Sequence, residues 1–194
     1  MRVLRSDDPE AAVLLDAGAR IVSESWGARL TVTPEVLATC RAAVDAARVA
    51  GWTVRALDPG EAAALAALDA GAAADYPPTV ATFHDVPDPA ALAAALTAGE
   101  RWAFGAFAAD GRLDAATVLY PAADRVEVDF TVTRAAARRR GLATAVKGAA
   151  VLALAAAGHR RFGSGGAGEN VASRRANEAL GYVVTERWLH LRAG

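Results

Sequence analysis

The run Arg138-Arg139-Arg140-Gly141-Leu142-Ala143 puts three cations and one glycine where a strand gives way to a helix. Ahead of it, Val126 to Thr133 alternates apolar and polar residues, as a half-buried strand does. Behind it, Leu142, Ala145, Val146, Ala149, Leu152, Ala153 and Ala156 recur at helical spacing, and Gly158 ends the pattern. The orphan N–H groups of a first helical turn, and the positive end of the helix dipole, point at whatever lies over such a turn. Gly141 lets a ligand approach the backbone closely, and Ala143 keeps the first turn free of bulk. This is an anion cradle, and the expected ligand is a pyrophosphate.

Two common pyrophosphate signatures are absent. No Gly-x-x-x-x-Gly-Lys-Ser/Thr string exists in the chain. The glycine-rich stretch from Gly163 to Gly168 lacks the Gly-x-Gly-x-x-Gly spacing and does not open a helix directly. What remains is Arg-x-x-Gly-x-Ala between a strand and a long helix. It resembles motif A of the GNAT acyltransferase superfamily, Gln/Arg-x-x-Gly-x-Gly/Ala, which binds the pyrophosphate of acetyl-CoA.

A second segment, Glu169 to Tyr182, resembles the motif B helix of one GNAT branch, Asn-x-x-Met-x-x-x-Asn-x-x-Leu-Gly-Phe/Tyr. Asn170, Asn177, Leu180, Gly181 and Tyr182 match it, and Ser173 stands in place of the methionine. Leu180-Gly181 also reads by itself as a helix end with a left-handed glycine, and Asn170 as a helix N-cap.

The resemblance implies transfer of an acetyl group from acetyl-CoA to the amine of a small molecule, by direct attack in a ternary complex. Acetyl-CoA is then the cosubstrate, and no metal is required. It implies that Phe130, Thr131, Val132 and Thr133 line the pantetheine arm, with the N–H of Val132 or Thr133 on the thioester carbonyl. Arg138, Arg139, Arg140, Gly141, Leu142, Ala143 and Thr144 would hold the pyrophosphate, and Asn170 and Asn177 the pantetheine or phosphate region. Glu127 and Asp129 lie two apart on one strand, hence on one face, where the family often places a carboxylate base. Glu127 is the preferred base because it lies further from the pyrophosphate turn; the competing reading is an ordinary polar strand face. His84, in a loop, is a weaker candidate. Many GNAT enzymes carry a tyrosine four residues before the glycine of the Leu-Gly-Phe ending; here that position is Asn177. An amide is not a useful proton donor, so the acid for the leaving thiolate is unassigned, with water, Tyr76 or Tyr120 as candidates. Ser164 and Gly166 occupy positions where relatives often have Thr-x-Asn, in a stretch expected to be a flexible loop. A non-catalytic CoA-binding regulatory module or pseudoenzyme, and a protein N-acetyltransferase, are the other readings.

The elements that must position these groups follow from pattern. Trp52 to Leu57 reads as a strand, Glu61 to Ala74 and Ala90 to Ala98 as helices, and Arg101 to Ala108 with Leu113 to Tyr120 as a hairpin turned at Asp110-Gly111. With the segments above, the order is strand, two helices, three strands, helix, strand, helix, strand, which is the GNAT order. The expected fold class is α/β: a mixed, mostly antiparallel sheet flanked by helices, in a domain over residues 51–194. Residues 1–50 form an N-terminal extension that this fold does not require, expected to cover a sheet edge or make a homodimer contact. Within it Leu14 to Glu24 echoes Asn177 to Arg187 as helix end, glycine, strand, either by chance or as the relic of a duplicated unit.

Composition narrows the class. At 194 residues and 54% hydrophobic, the chain can bury one core, and its net charge of −1 argues against a nucleic-acid or membrane-surface binder. The arginines cluster instead, at 138–140, 160–161 and 174–175. Cys40 is the only cysteine, so no intrachain disulfide forms. No signal-peptide or membrane-spanning pattern is present, and a cytoplasmic protein is expected. The alanine, arginine and glycine bias fits a GC-rich, bacterial coding genome.

Overall fold

Helix starts are set by side chains that satisfy first-turn N–H groups. Asp8, Thr33, Asp88 and Asn170 each accept a hydrogen bond from a backbone N–H two or three residues on, and proline follows the first three at the opening helical position. The computed structural model describes residues 1–76, 79 and 85–193. Along them run β1 (Arg2–Arg5), α1 (Pro9–Asp16), β2 (Arg20–Thr31), α2 (Pro34–Val49), β3 (Thr53–Ala56), α3 (Ala62–Ala70) and α4 (Pro89–Thr97). There follow β4 (Trp102–Phe107), β5 (Leu113–Ala122), β6 (Arg125–Thr133), α5 (Leu142–Ala156), β7 (Arg161–Ala167), α6 (Val171–Glu178) and β8 (Val183–Arg192). No described helix is long and apolar enough to cross a membrane.

The strands form one eight-stranded sheet in the order β1-β8-β2-β7-β6-β5-β4-β3. Every neighbouring pair is antiparallel except β6 and β7, which are parallel and joined through α5. Apolar residues on one face pack with α2 and α5, around Phe162, Leu30, Val126 and Val151. On the other face Phe130, Val132 and Val118 pack with Leu65 and Leu68 of α3 and Leu92 of α4. Both faces of the central strands are therefore covered, and each fully buried Leu or Phe contributes about 1.5–3 kcal/mol.

Residues 1–50 are not an appended extension. β2 lies inside the sheet, paired to β7 over Ser25–Thr31 and to β8 over Arg20–Arg29. The physical reason is that β7 and β8 do not pair with each other: without β2 each would present an unsatisfied backbone edge. Trp26, Ala28 and Leu30 of β2 belong to the main core.

The echo between Leu14–Glu24 and Asn177–Arg187 is carried by the geometry. The pairing of β2 with β8 is symmetric about Ser25↔Trp188: Arg20↔Arg192 is matched by Arg29↔Val183, Ile21↔Leu191 by Ala28↔Val184, and Ser23↔His190 by Gly27↔Glu186. Even the two register shifts correspond, one skipping Val22 and the other Thr185. α1 and α6 are each eight residues long, and each is followed by a left-handed glycine, Gly18 at φ 92° and Gly181 at φ 95°. The units β1-α1-β2 and β7-α6-β8 are related by a pseudo-twofold axis through the sheet.

The stretch expected to be a flexible loop, Ser164 to Ala167, is the second half of β7. Its glycines leave room for neighbouring groups. A Cβ on Gly166 would lie 2.9 Å from the Trp26 indole, and one on Gly163 would lie 2.2 Å from the Glu127 carboxylate. Trp26 is held rigidly, buried and donating its indole N–H to the Ala167 carbonyl at 3.0 Å. The Glu127 carboxylate is the free end of a flexible side chain. Gly166→Ala is therefore expected to lose about 1–3 kcal/mol of stability in urea denaturation. Gly163→Ala should lose less than about 1 kcal/mol, because the carboxylate moves aside. Equal losses would refute this account of the glycine strand.

Candidate functional site

The turn between β6 and α5 is held from below by a buried carboxylate. Asp114, 2% exposed, accepts hydrogen bonds from Arg112 Nε at 2.8 Å, Trp52 Nε1 at 3.1 Å and Arg134 Nε at 3.1 Å. Burial pushes its carboxyl pKa up, but the bonds from Arg112, Trp52 and Arg134 outweigh that and hold it below the usual carboxylate range. The Arg134 N–H also donates to the Asp114 carbonyl at 2.8 Å, so β6 ends at a defined point.

From there a single 3-10 turn, Ala135–Ala137, leads to Arg138, which donates from Nε to the Thr133 carbonyl at 3.1 Å and pairs with Asp75 at 2.5 Å. Arg139 adopts φ 60° and Gly141 φ 76°, two left-handed residues just before the helix. Such a backbone turns successive N–H groups toward one point and makes a concavity for an anion. No side chain caps the N-terminus of α5. A Cβ on Gly141 would meet nothing within 4 Å, because that side of the turn is open.

It opens into a cavity of about 830 Å³ between the start of α5, the end of β6 and α6. β6, which gives the cavity Thr131, Val132 and Thr133, has parted from β7 before it reaches them. The two strands are paired at Val126↔Phe162 and Glu127↔Gly163, and no further parallel pairs follow. A bulge bends β6 there: Leu119 pairs with Val128 and Val118 with Phe130, leaving Asp129 as the extra residue. Val126 and Val128 accordingly pack toward α2 and α5, while Phe130 and Val132 pack toward α3 and α4.

Most residues expected at the site line this cavity: Thr131, Val132, Thr133, Arg138, Arg139, Gly141, Leu142, Ala143, Thr144 and Asn170. Others do not. Phe130 is in the core, and the Arg140 guanidinium lies 5.5 Å from the Trp52 ring centre. Asn177 is buried beneath the cavity wall, donating to the Ser173 carbonyl at 3.1 Å. Of the other arginine clusters, Arg175 lines the cavity, whereas Arg161 pairs with Asp124 and Arg174 with Glu178.

Strict alternation does not relate Glu127 to Asp129, because the bulge falls between them and β5; their surroundings still converge on one patch. Glu127 stands opposite Tyr120 in register, and Arg101, stacked on the Tyr120 ring at 4.8 Å, lies 3.4 Å from Asp129. Glu127 is largely buried against Gly163, ion-paired to Arg125, and 3.7 Å from Arg29 of β2. His84 lies outside the described residues.

Sequence pattern missed Lys147, which sits among the apolar residues of α5 and reads there as a lone charge. Its side chain is buried, lines the cavity, and donates to Ser164 Oγ at 3.2 Å and Asn177 Oδ1 at 2.8 Å. Burial brings its ammonium pKa down to about 7. Tyr76 and Tyr182 suit proton donation poorly. Burial and the hydrogen bond to Asp69 raise the Tyr76 phenol, and burial raises that of Tyr182, which packs in the core.

No protein-family model matches the sequence, and no curated protein matches it significantly. Solved structures do match the fold. A GCN5-related N-acetyltransferase from Sphaerobacter thermophilus is 18% identical with a TM-score of 0.69, covering 98% of this chain and 58% of its own. The fold is that of the GNAT N-acetyltransferases. A GCN5-related N-acetyltransferase-like protein from Streptococcus suis matches at 15% identity and TM-score 0.62, over 98% of this chain and 71% of that one. A tandem GNAT protein from the clavulanic acid biosynthesis pathway matches at 16% and 0.60, over 97% and 62%. This chain thus spans about three fifths of the length of the Sphaerobacter protein. These matches take in nearly the whole chain, β1-α1-β2 included.

The Asp114 cluster gives a test of how the turn is held. Asp114→Asn is expected to lower unfolding stability by about 1–3 kcal/mol at neutral pH. A depressed folded-state pKa stabilises above the unfolded-state value, about 3.9, and that stabilisation is lost as pH falls through the folded value. The gap between wild type and variant in urea denaturation should therefore be full at pH 7 and shrink below about pH 4. A pH-independent gap would show that the charge of Asp114 plays no part.

Proposed function

We propose that the chain is an N-acetyltransferase that moves an acetyl group from acetyl-CoA to the amine of a small molecule. The observation that supports this best is the cavity, which joins an uncapped helix N-terminus at Gly141 to Thr131, Val132 and Thr133, a stretch of β6 that has parted from β7. The first is an anion site and the second leaves backbone groups of β6 without strand partners, free to bond an amide-bearing arm. A pyrophosphate on the N–H groups of Gly141 to Thr144 would direct the pantetheine arm along Thr131, Val132 and Thr133. Oriented N–H groups of β6 there would stabilise the oxyanion formed when an amine attacks the thioester. Glu127, near the parting of the strands, is the candidate base for the acceptor ammonium, directly or through water, with Asp129 second.

A non-catalytic CoA-binding module has one observation on its side, the ion pairing of Glu127 to Arg125. Binding and turnover separate the two readings. Calorimetric titration with acetyl-CoA and with CoA should give micromolar binding, and absence of both would sink the proposal. Gly141→Val should weaken CoA binding by about 100-fold or more while leaving the domain folded. A branched side chain at φ 76° would stand where the pyrophosphate goes, and the conformation itself costs about 1–2 kcal/mol. Glu127→Gln should keep CoA affinity and lower acetyl transfer to a screened amine about 100-fold. Full activity in that variant would remove Glu127 from the mechanism.

A further inference from the structure

The cavity holds a group for which neither the anion cradle nor the separated strand accounts. Lys147 lies on α5 six residues beyond Gly141, about 9 Å deeper along the helix axis. Ser164, which accepts from its Nζ, is the first residue of β7 beyond the last parallel pair with β6. Lys147 lines the same cavity as the Gly141 turn, while Ser164 and Asn177, which hold its ammonium, lie behind that wall. A ligand held at Gly141 by its anionic end shares the cavity with Lys147.

An ammonium carries three donors, and two are used, on Ser164 and Asn177. Joining a hydroxyl to an amide needs no charge, and burying one is costly without a paired anion. No carboxylate is hydrogen-bonded to Lys147 among the described residues. The charged groups sharing the cavity are Asp75, Arg138, Arg139 and Arg175, and Asp75 is paired with Arg138. A buried cation with a donor to spare, on the wall of the cavity that holds the uncapped helix N-terminus, is placed to meet a negative charge that forms during a reaction.

We propose that Lys147 is the proton donor to the thiolate that leaves when the acyl group is transferred, a role that rests on the acetyl-CoA reading above. The acceptor nitrogen forms the C–N bond at the thioester carbonyl. The C–S bond breaks with its electron pair going to sulfur, and the Lys147 ammonium gives that sulfur its proton. The proton shed by the acceptor nitrogen restores the ammonium through solvent, so amine and thioester become amide and thiol. A lysine titrating near neutrality can both hold and release a proton under those conditions.

The test uses CoA itself. Calorimetry on the wild-type chain comes first: if neither CoA nor acetyl-CoA binds, the acyl-CoA reading falls, and this role falls with it. Where CoA binds, its thiol is titrated in the bound state by the ultraviolet absorbance of the thiolate. Because thiolate and ammonium stabilise each other, the two should titrate as a pair, with thiolate appearing about one pKa unit or more below free CoA. Lys147→Met should abolish the shift. In acetyl transfer, Lys147→Met should lower kcat about 100-fold with KM for acetyl-CoA changed by less than about twofold, and alter the basic limb of the pH profile. Lys147→Arg, which keeps a charge but cannot give up a proton, should preserve the thiol shift while kcat stays low. An unshifted bound thiol in the wild type overturns the proposal even if no variant folds. So does a Lys147→Met variant in which KM rises and kcat holds, which would make Lys147 a binding residue.

Discussion

Parallel pairing between β6 and β7 lasts for two register pairs and then stops, and the geometry of the site descends from that. Had the ladder continued, the backbone of Thr131 to Thr133 would be bonded to β7, and the space beside α5 would be filled by sheet. Two features keep the strands apart. The bulge at Asp129 turns β6, and β2 holds β7 on its other side through a continuous antiparallel ladder from Ser25 to Thr31. A strand anchored on one edge can be released on the other without exposing a long free edge.

That anchoring gives the N-terminal residues their purpose in the fold. β2 is interior, flanked by β7 and β8, and the pseudo-twofold axis between β2 and β8 makes the two halves of that sheet region equivalent partners. The glycines of β7 complete the arrangement. They leave space for the Trp26 indole and the Glu127 carboxylate to lie across a strand that side chains would otherwise fill. The composition that resembled a flexible loop is a packing requirement of a crowded sheet.

Charge is distributed in the same economical way. Of the arginines in the cradle, Arg138 is tied to Asp75 and the Thr133 carbonyl, and Arg140 lies over Trp52, so both shape the turn. The uncapped N-terminus of α5, with Arg139 and Arg175, lines the cavity instead. The buried Lys147 ammonium is hydrogen-bonded to two neutral partners among the described residues, Ser164 and Asn177.

Much of this was legible in the sequence, for local reasons. Strand, left-handed glycine and helix around Gly141 follow from alternation and 3.6-residue spacing, and the helices over Pro9–Asp16, Pro34–Val49 and Val171–Glu178 announce themselves by their caps. The order of elements from Trp52 onward was readable because each signal spans only a few residues. The place of β2 was not, since a period-two pattern shows that a strand has a buried face but not which strands flank it. The bulge at Asp129 was equally hidden: one extra residue leaves the alternation of Val126 to Val132 intact on paper while sending its two ends to opposite cores. Lys147 was invisible because its meaning lies in Ser164 and Asn177, which are 17 and 30 residues away in sequence and at hydrogen-bond distance only after the chain has folded. Sequence by itself determined which segments become helices and strands and where a left-handed glycine opens α5, since those depend on near neighbours. Which strands part, and which buried charge lines the cavity, depend on contacts between distant segments, and only the tertiary structure decided them.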